Sequence, residues 1–263
     1  KYILSQAITT TLLTPANPSE TDIFSSDAPR LGSEPFLFNQ VLDQDDKAIR
    51  YQWRANRYSN YLIDRKFMSK KQHGKQISYV TFSLVNEHIH LRKQKFSQYV
   101  LASAKQYNVN PSLIYSVIET ESSFNPFAVS SANAYGLMQV VPSTAGKDVY
   151  QKIKKRSGQP SQQTLFDPQD NIDIGTAYLS ILFNQYLSQI HDKTNKEYAV
   201  ISGYNGGAGN VLRTFHKNRS QAFIHINQHT PAHLYQVLTT KHPRAESRRY
   251  LEKVTKAQKK YQQ

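Results

Sequence analysis

The sequence predicts a mainly α-helical domain preceded by a smaller domain that mixes helices and strands. Strand-like runs, in which β-branched and aromatic residues alternate with polar ones, occur only in about the first 85 residues. From about residue 86 onward the apolar residues recur at helical spacing. We therefore predict an α+β accessory domain at residues 1–84 and a helical domain at residues 85–263.

The elements predicted in the first part alternate between helix and strand. In chain order they are a helix at 1–13, strands at 34–43 and 47–53, a helix at 57–68, a loop at 71–76 and a strand at 77–85. No catalytic combination of side chains is evident in this part. Because the chain opens inside a helix-like pattern, we expect it to begin partway through a longer protein.

The second part predicts helices joined by loops. They are expected at 86–107, 110–122, 167–187, 196–205 and 247–261. Two of them carry clear start signals, since Asn110–Pro111 and Asp167–Pro168 each place a capping side chain before a proline at the first helical position.

Composition excludes several classes of chemistry. The chain has no cysteine, which rules out disulfides, thiolate metal ligands and a cysteine nucleophile within it. Its 33 Lys and Arg residues against 19 Asp and Glu give a formal net charge of +14. Such a surface suits a polyanion, namely nucleic acid, anionic lipid or a carboxylate-rich polymer, although general solubility explains it equally well.

One carboxylate stands out in the stretch IETESSFNPFAVSSANAYGLMQVVPSTAG, residues 118–146. At 100° per residue, Glu121 falls on the apolar stripe of its helix, while Glu119 points away from it. Burial and the negative end of the helix dipole should both raise the pKa of Glu121, as a general acid requires. The alternative is a helix-end glutamate whose carboxylate reaches solvent.

Small and polar residues follow this acid and recur further along the chain. The segment SANAYGLMQ would let a polymer approach the backbone, and the Gln139 amide could donate to and accept from a sugar. Downstream, YNGGAGN predicts a helix that ends in a glycine-rich loop and offers Tyr204 and Asn205. A phosphate cradle is disfavoured there because the loop lacks the Lys–Ser/Thr pair and follows no strand.

Together these segments resemble the signature blocks of the family 1 lytic transglycosylases, which are peptidoglycan lyases with a goose-lysozyme-like helical fold. The resemblance is carried by ESSFNPFAVSSANAYGLMQVVPSTA, GYNGGAGNVL and AESRRYLEKV, in that order. Gly203 stands where the family usually has Ala. The stretches PSETDIFSSDAPRLGSEPFLFNQVLD, GKDVYQKIKKRSGQPSQQTLFDP and LTTKHPRAESRRYL further resemble a membrane-bound member of that family.

The resemblance implies roles for eight residues. Glu121 matches the single catalytic acid/base, and seven further positions match substrate-binding ones, namely Ser130, Met138, Gln139, Tyr204, Asn205, Glu246 and Tyr250. For Glu246 and Tyr250 a structural role is as plausible as direct contact. The resemblance implies neither cofactor nor metal, and His88 and His90 with the other scattered histidines suggest no metal site.

The implied activity is cleavage of the bond between MurNAc and GlcNAc, with the MurNAc 6-hydroxyl closing a 1,6-anhydro ring. A hydrolase on the same fold, or a non-enzymatic binder of wall polymer or nucleic acid, remains as an alternative. No nucleic-acid-binding motif is present. The resemblance also implies an N-terminal lipid anchor absent from this chain and a place at the periplasmic face of the outer membrane. Oligomeric state is open.

Overall fold

The computed structural model describes residues 2–16 and 34–262. The stretch PSETDIFSSDAPRLGSEPFLFNQVLD lies partly outside these described residues, since its residues 18–33 are not among them. The helices within the described residues are α1 (Tyr2–Leu13), α2 (Gln52–Lys66), α3 (His88–Tyr107), α4 (Pro111–Ser122), α5 (Lys147–Lys152), α6 (Gln162–Phe166), α7 (Pro168–Ile181), α8 (Lys193–Gly206), α9 (Ala208–Phe215), α10 (Arg219–Gln228), α11 (Pro231–Lys241) and α12 (Ala245–Gln258).

The chain divides into two compact units, residues 1–95 and 96–263. The division falls inside α3, about ten residues after the boundary expected from the sequence. The start of an independent catalytic domain at residue 85 therefore stays a prediction. The mixed and mainly helical characters of the two parts are confirmed, because the named strands of the described chain both lie in the first unit.

In the first unit, α1 packs against α2 around a core of aliphatic side chains. The core includes Leu12, Val41, Ile49 and Leu62, each almost wholly buried. After α2, the strands β1 (Met68–Gln72) and β2 (Lys75–Tyr79) form an antiparallel hairpin. Its turn places both His73 and Gly74 at positive φ, the geometry that a two-residue hairpin turn requires. The loop predicted at residues 71–76 is thus the end of a hairpin.

The two strands predicted at 34–43 and 47–53 are wrong. Residues 36–40 form turns, and α2 already begins at Gln52. The backbone here is satisfied locally, since the Asp43 carboxylate accepts from the backbone N–H groups of Asp45 and Lys47 at 2.9 and 3.0 Å. The predicted strand at 77–85 is partly correct, because β2 ends at Tyr79 and the chain beyond it is irregular.

In the second unit, α12 packs against both α4 and α8. Helix α4 starts as predicted, since the Asn110 side chain accepts from the N–H of Ser112 and Pro111 occupies the first turn. Its apolar residues from Leu113 to Ile118 are buried. The helix ends at Ser123, which adopts a left-handed conformation with φ 51°. The helix therefore ends three residues before Pro126, the next proline along the chain.

Helix α7 confirms its predicted start, because the Asp167 carboxylate accepts from the N–H groups of Gln169 and Asp170 ahead of a proline. Its last turn loosens into a π-helical segment at residues 182–186. Helix α8 runs through the YNG sequence and stops at Gly207, whose φ of 84° suits glycine. The short helices α5 and α6 and the helices α9 to α11 were not predicted.

Candidate active site

A cleft of about 440 Å³ opens in the second unit. Its walls come from the end of α4, the loop after it, the π-helical turn at residues 142–146, α7, the end of α8 and the start of α12. Six of the eight predicted site residues line it, namely Glu121, Ser130, Gln139, Tyr204, Asn205 and Glu246. The structure thus brings together residues that are up to 125 positions apart in the chain.

Glu121 lies in this cleft at the last turn of α4. Burial, and to a smaller extent the nearby charge of Glu246, raise the pKa of its carboxyl from 4.5 to a net value of about 7. An interaction with the Tyr250 hydroxyl acts in the opposite direction. The net result is a carboxyl that is partly protonated near neutral pH and can therefore both give and take a proton.

Glu119 lies elsewhere, as the helical phase predicts. Its carboxylate accepts hydrogen bonds from Lys260 and from the Tyr261 hydroxyl beyond the end of α12. The two acids of the ETE sequence therefore have separate surroundings, although they are only two residues apart. Glu119 provides a natural control for experiments on Glu121.

Ser130 is held by the loop that it helps to form. Its Oγ accepts from the backbone N–H groups of Ala132 at 3.2 Å and Ala134 at 3.1 Å. Both of these bonds use the oxygen as an acceptor, so the hydroxyl proton remains available. At the wall of the cleft this hydroxyl can donate to a polar group of a ligand.

The side-chain amide of Gln139 makes different hydrogen bonds from those predicted. Its Nε2 donates to the backbone carbonyls of Ala128 and Gly136, each at 3.0 Å, and its backbone has a positive φ of 46°. The amide donors therefore hold the loop and are not directed at a sugar. The acceptor Oε1 is the part of this side chain that can meet a ligand hydroxyl.

The loop at residues 135–139 is fixed by Asn171 of α7, which is fully buried. Its Nδ2 donates to the carbonyls of Tyr135 at 2.8 Å and Leu165 at 2.7 Å, and its Oδ1 accepts from the N–H of Met138 at 2.8 Å. Gly136 permits this approach, because a Cβ there would lie 2.4 Å from the Asn171 amide nitrogen. One side chain thus sets the backbone of the cleft wall.

The end of α8 supplies the opposite wall. The Tyr204 hydroxyl donates to the carbonyl of Met138 at 2.8 Å, which ties α8 to the loop. The Asn205 Oδ1 accepts from the Ser247 hydroxyl at 2.7 Å, and its Nδ2 makes a longer contact of 3.4 Å with Glu246. The YN pair therefore joins the loop on one side to the start of α12 on the other.

Comparison with known proteins shows the family to which the chain belongs. A membrane-bound lytic murein transglycosylase C from Yersinia pestis (strain Pestoides F) is 51% identical over 259 residues, which cover 98% of this chain and 72% of that protein. The protein of the same name from Yersinia pseudotuberculosis serotype O:1b matches equally well. The chain belongs to the membrane-bound lytic murein transglycosylase C family.

Family models divide the chain at nearly the same place as the two compact units. Residues 1–95 match the N-terminal domain of membrane-bound lytic murein transglycosylase C, and residues 98–227 match the transglycosylase SLT domain. Among solved structures, an inactive mutant of the lytic transglycosylase Slt from Pseudomonas aeruginosa is 26% identical, with a TM-score of 0.46 over 63% of this chain and 23% of that one. The 70 kDa soluble lytic transglycosylase from Escherichia coli is 23% identical, with a TM-score of 0.47 over 65% and 25%. The matched SLT domain agrees with the fold class that the resemblance implied.

Two of the eight predicted site residues, Met138 and Tyr250, do not line the cleft. The Met138 side chain is fully buried and packs on α7, where a Cβ at Gly175 would lie 2.5 Å from its sulfur. The direct sugar contact expected of Met138 is therefore corrected to a supporting role, in which its carbonyl receives Tyr204. Tyr250 is also buried, and its hydroxyl makes no well-formed hydrogen bond within the described chain.

Tyr250 nonetheless acts on the cleft through Glu121. Its hydroxyl interacts with the Glu121 carboxyl and lowers the pKa of that carboxyl. The expected contact of Tyr250 with substrate is thus replaced by a contact with the acid itself.

Three residues of the site were missed by the sequence analysis. Tyr178 lines the cleft with its ring 5.6 Å from that of Tyr204, Arg244 lines it at the start of α12, and Asn171 fixes the loop behind it. A signal for two of them existed. Asn171, Gly175 and Tyr178 are spaced i, i+4 and i+7, so they share one face of α7. Nothing in the local pattern marks Arg244.

Within residues 2–16 and 34–262 there is no group of three or more His, Cys, Asp or Glu side chains that could hold a metal ion. The helices of these ranges also include none long and apolar enough to cross a membrane. From its own lining residues, the cleft offers proton transfer by Glu121 and hydrogen bonding by the polar side chains around it.

Proposed function

We propose that this protein is a peptidoglycan lytic transglycosylase that cleaves the β-1,4 bond between MurNAc and GlcNAc without water. The products would carry 1,6-anhydro-MurNAc ends, as cell-wall remodelling and turnover require. The proposal rests on family membership and on one observation above all. That observation is the carboxyl of Glu121, whose pKa is raised to about 7, chiefly by burial, inside a cleft lined by polar and aromatic side chains.

Glu121 performs two proton transfers in this scheme. Protonated, it gives its proton to the glycosidic oxygen, and the bond to C1 of MurNAc breaks with an oxocarbenium-like centre at C1. Now a carboxylate, it takes the proton of the MurNAc 6-hydroxyl while that oxygen bonds to C1. The proton balance closes on the same residue, so a pKa near neutrality serves both steps.

The neighbouring side chains orient the sugars around this acid. The Ser130 hydroxyl has its proton free to donate, and the Gln139 Oε1 can accept. Tyr178 offers an aromatic surface on which a sugar ring can stack. Asn205, held by Ser247, presents its amide at the other wall. No cofactor or metal takes part in the scheme.

A hydrolase is the second candidate, and Glu246 is the observation that favours it. Ordinary glycosidases use two carboxylates, one on each side of the scissile bond. Glu246 is the other carboxylate among the residues that line the described cleft. It is exposed, however, and it contacts Asn205, so it lacks the buried setting of Glu121. The lyase reaction therefore uses the better-placed group alone.

The substrate and the names of the relatives support a proposal for the cellular setting. Those relatives are described as membrane-bound, and peptidoglycan lies outside the inner membrane. We place this protein at the periplasmic face of the outer membrane, held by a lipid anchor ahead of the present chain. Residues 1–84 would then serve as an accessory domain that takes no part in the chemistry.

Product analysis on isolated murein sacculi tests the activity. Digestion by the purified chain is expected to release muropeptides whose MurNAc ends are lighter by one water than reducing ends. A lysozyme digest of the same sacculi supplies the reducing-end standard. If the released ends coincide with that standard in mass, the protein is a hydrolase. If nothing is released, a non-enzymatic binder of the wall is the better description.

A further inference from the structure

The β1–β2 hairpin of the first unit is the most exposed ordered segment of the described chain. Every residue from 64 to 78 is exposed, which covers β1, the turn and all of β2 except the half-buried Tyr79. The backbone pairs only with itself, from Met68 opposite Tyr79 to Gln72 opposite Lys75. A two-stranded hairpin is marginal in water when nothing packs against it. The exposed surface of this hairpin is therefore a candidate for binding a partner.

The hairpin and the residues leading into it carry charge of one sign. Five cationic side chains and no acidic one occur between residues 65 and 79, namely Arg65, Lys66, Lys70, Lys71 and Lys75. No salt bridge of the described residues uses any of these five. Their charge is therefore presented to solvent, where it attracts an anionic surface.

Large apolar side chains are exposed beside these cations. Phe67 is 46% exposed, Met68 38% and Ile77 36%. The register places Met68 opposite Tyr79 and Lys70 opposite Ile77, so these four side chains share one face of the hairpin. On that face the Lys70 ammonium lies 5.5 Å from the centre of the Tyr79 ring. Cationic, aromatic and aliphatic groups are thus combined on a single face.

We propose that this face of the β1–β2 hairpin is a membrane-contact surface that binds the anionic phospholipid headgroups of a bilayer. On this face Lys70 and Lys75 meet the phosphate groups, and Met68 and Ile77 enter the boundary between headgroups and acyl chains. A sugar polymer whose charges are carboxylates would engage the lysines but would leave the apolar side chains without a partner. The combination of both features on one face is what favours lipid.

The affinity for a bilayer that we expect of such a surface is modest. Each lysine close to an anionic bilayer raises partitioning about fivefold at physiological ionic strength. The two lysines of this face then give up to about 25-fold, and salt weakens this effect. A contact of this strength does not anchor a protein alone. It would orient an already tethered chain against the bilayer, independently of the proposed lytic activity.

Vesicle sedimentation with the full chain tests the proposal. The vesicles are phosphatidylcholine alone or with about one third phosphatidylglycerol, a content that gives an anionic surface. The test variant is Lys70→Gln/Lys75→Gln, which changes the two lysines of the proposed face. Its matched control, Lys253→Gln/Lys256→Gln, removes the same number of charges from the exposed side of α12.

The wild type is expected to bind the anionic vesicles and not the neutral ones. The hairpin variant should lose on the order of 10- to 25-fold in the ratio of bound to free protein, whereas the α12 control should lose less than about threefold. A second variant, Met68→Ser/Ile77→Ser, should lose the part of the binding that survives high salt, where charge attraction is screened.

Two results would overturn the proposal. One is equal binding by the wild type and the hairpin variant, and the other is an equal loss in the α12 control, which would mean that only net charge matters. Binding of the hairpin to sacculi in place of vesicles would assign it to the wall polymer instead. Release of muropeptides from sacculi is measured in parallel. It should be unchanged in every variant, so a failure of the lytic activity is recognised separately.

Discussion

The hydroxyl of Tyr250 interacts with the carboxyl of Glu121 and lowers its pKa, while burial and the charge of Glu246 raise that pKa, with a net value of about 7. The two residues come from different elements, since Tyr250 belongs to α12 and Glu121 to the end of α4. Packing of these two helices therefore sets the protonation of the acid. A general acid that must later act as a base needs such a balance.

Replacing Tyr250 by Phe should move the alkaline limb of the kcat/KM profile to higher pH. The substitution removes the group that lowers the Glu121 pKa and leaves burial in place, so the carboxyl should stay protonated to higher pH. Stability should change little, because the lost hydroxyl has no well-formed partner in the described chain. Tyr198→Phe on α8, whose ring packs on Tyr235, is the control and should leave the profile unmoved. A limb that stays fixed or falls in Tyr250→Phe would contradict this relationship.

Glu121→Gln should keep the fold and abolish release of muropeptides. The amide is nearly isosteric with the carboxyl but can serve neither as the proton donor nor as the base. A loss of at least about 10³-fold is expected, within the range that positioned acid–base groups supply. Glu119→Gln is the matched control, because its side chain contacts Lys260 and Tyr261 and lies away from the cleft. Equal losses in the two variants would remove Glu121 from the mechanism.

The same substitution should stabilise the protein at alkaline pH. The carboxyl of Glu121 has a pKa of 4.5 when exposed and about 7 in the fold, so between these values the folded state binds the extra proton. Stability must then fall as pH rises from about 4.5 through about 7, by up to about 3 kcal/mol, and less because the cleft is open to water. Glu121→Gln is free of this loss.

Urea unfolding at about pH 5 and about pH 8 measures that difference. The wild type and Glu121→Gln should be similar at the lower pH, and the variant should be the more stable at the higher one. Stability curves that run parallel across this interval would show that the acid is not buried in the way described.

Gly136→Ala should destabilise the second unit much more than Gly158→Ala. Both glycines have positive φ, 74° and 81°, so both variants bear the same backbone strain of about 1–2 kcal/mol. At Gly136 the added Cβ would also lie 2.4 Å from the Asn171 amide and the Leu165 carbonyl, whereas at Gly158 it meets open space. We expect about 3 kcal/mol or more for Gly136→Ala, with loss of activity as the loop shifts. Similar unfolding midpoints would show that the loop yields easily.

Much of the second unit follows from local pattern. The starts of α4 and α7 were predicted from Asn110 and Asp167, because a cap and a following proline act within one turn. Helical phase also separated Glu121 from Glu119. The starts of these helices and the faces on which the two acids lie could thus be derived from the sequence without knowing which elements pack against them.

The remaining features depend on contacts between distant segments. The burial of Met138 and the role of Asn171 arise where α7 meets a loop more than thirty residues away. The Gln139 donors are used inside that loop, by carbonyls that are 11 and 3 residues away. Strands predicted at 34–43 and 47–53 failed because side-chain bonds such as those of Asp43 satisfied the backbone first. Apolar alternation alone could not reveal this.

Cleavage of murein sacculi in ¹⁸O-water tests the central claim most directly. If the MurNAc 6-hydroxyl is the nucleophile, its attachment to the reacting ring gives it an effective concentration that can reach roughly 10⁵ M, far above that of water. The new MurNAc ends should then be 1,6-anhydro and carry no label, whatever the extent of digestion. Incorporation of one ¹⁸O at C1 in most products would contradict the account and would direct attention to Glu246 as a base that activates water.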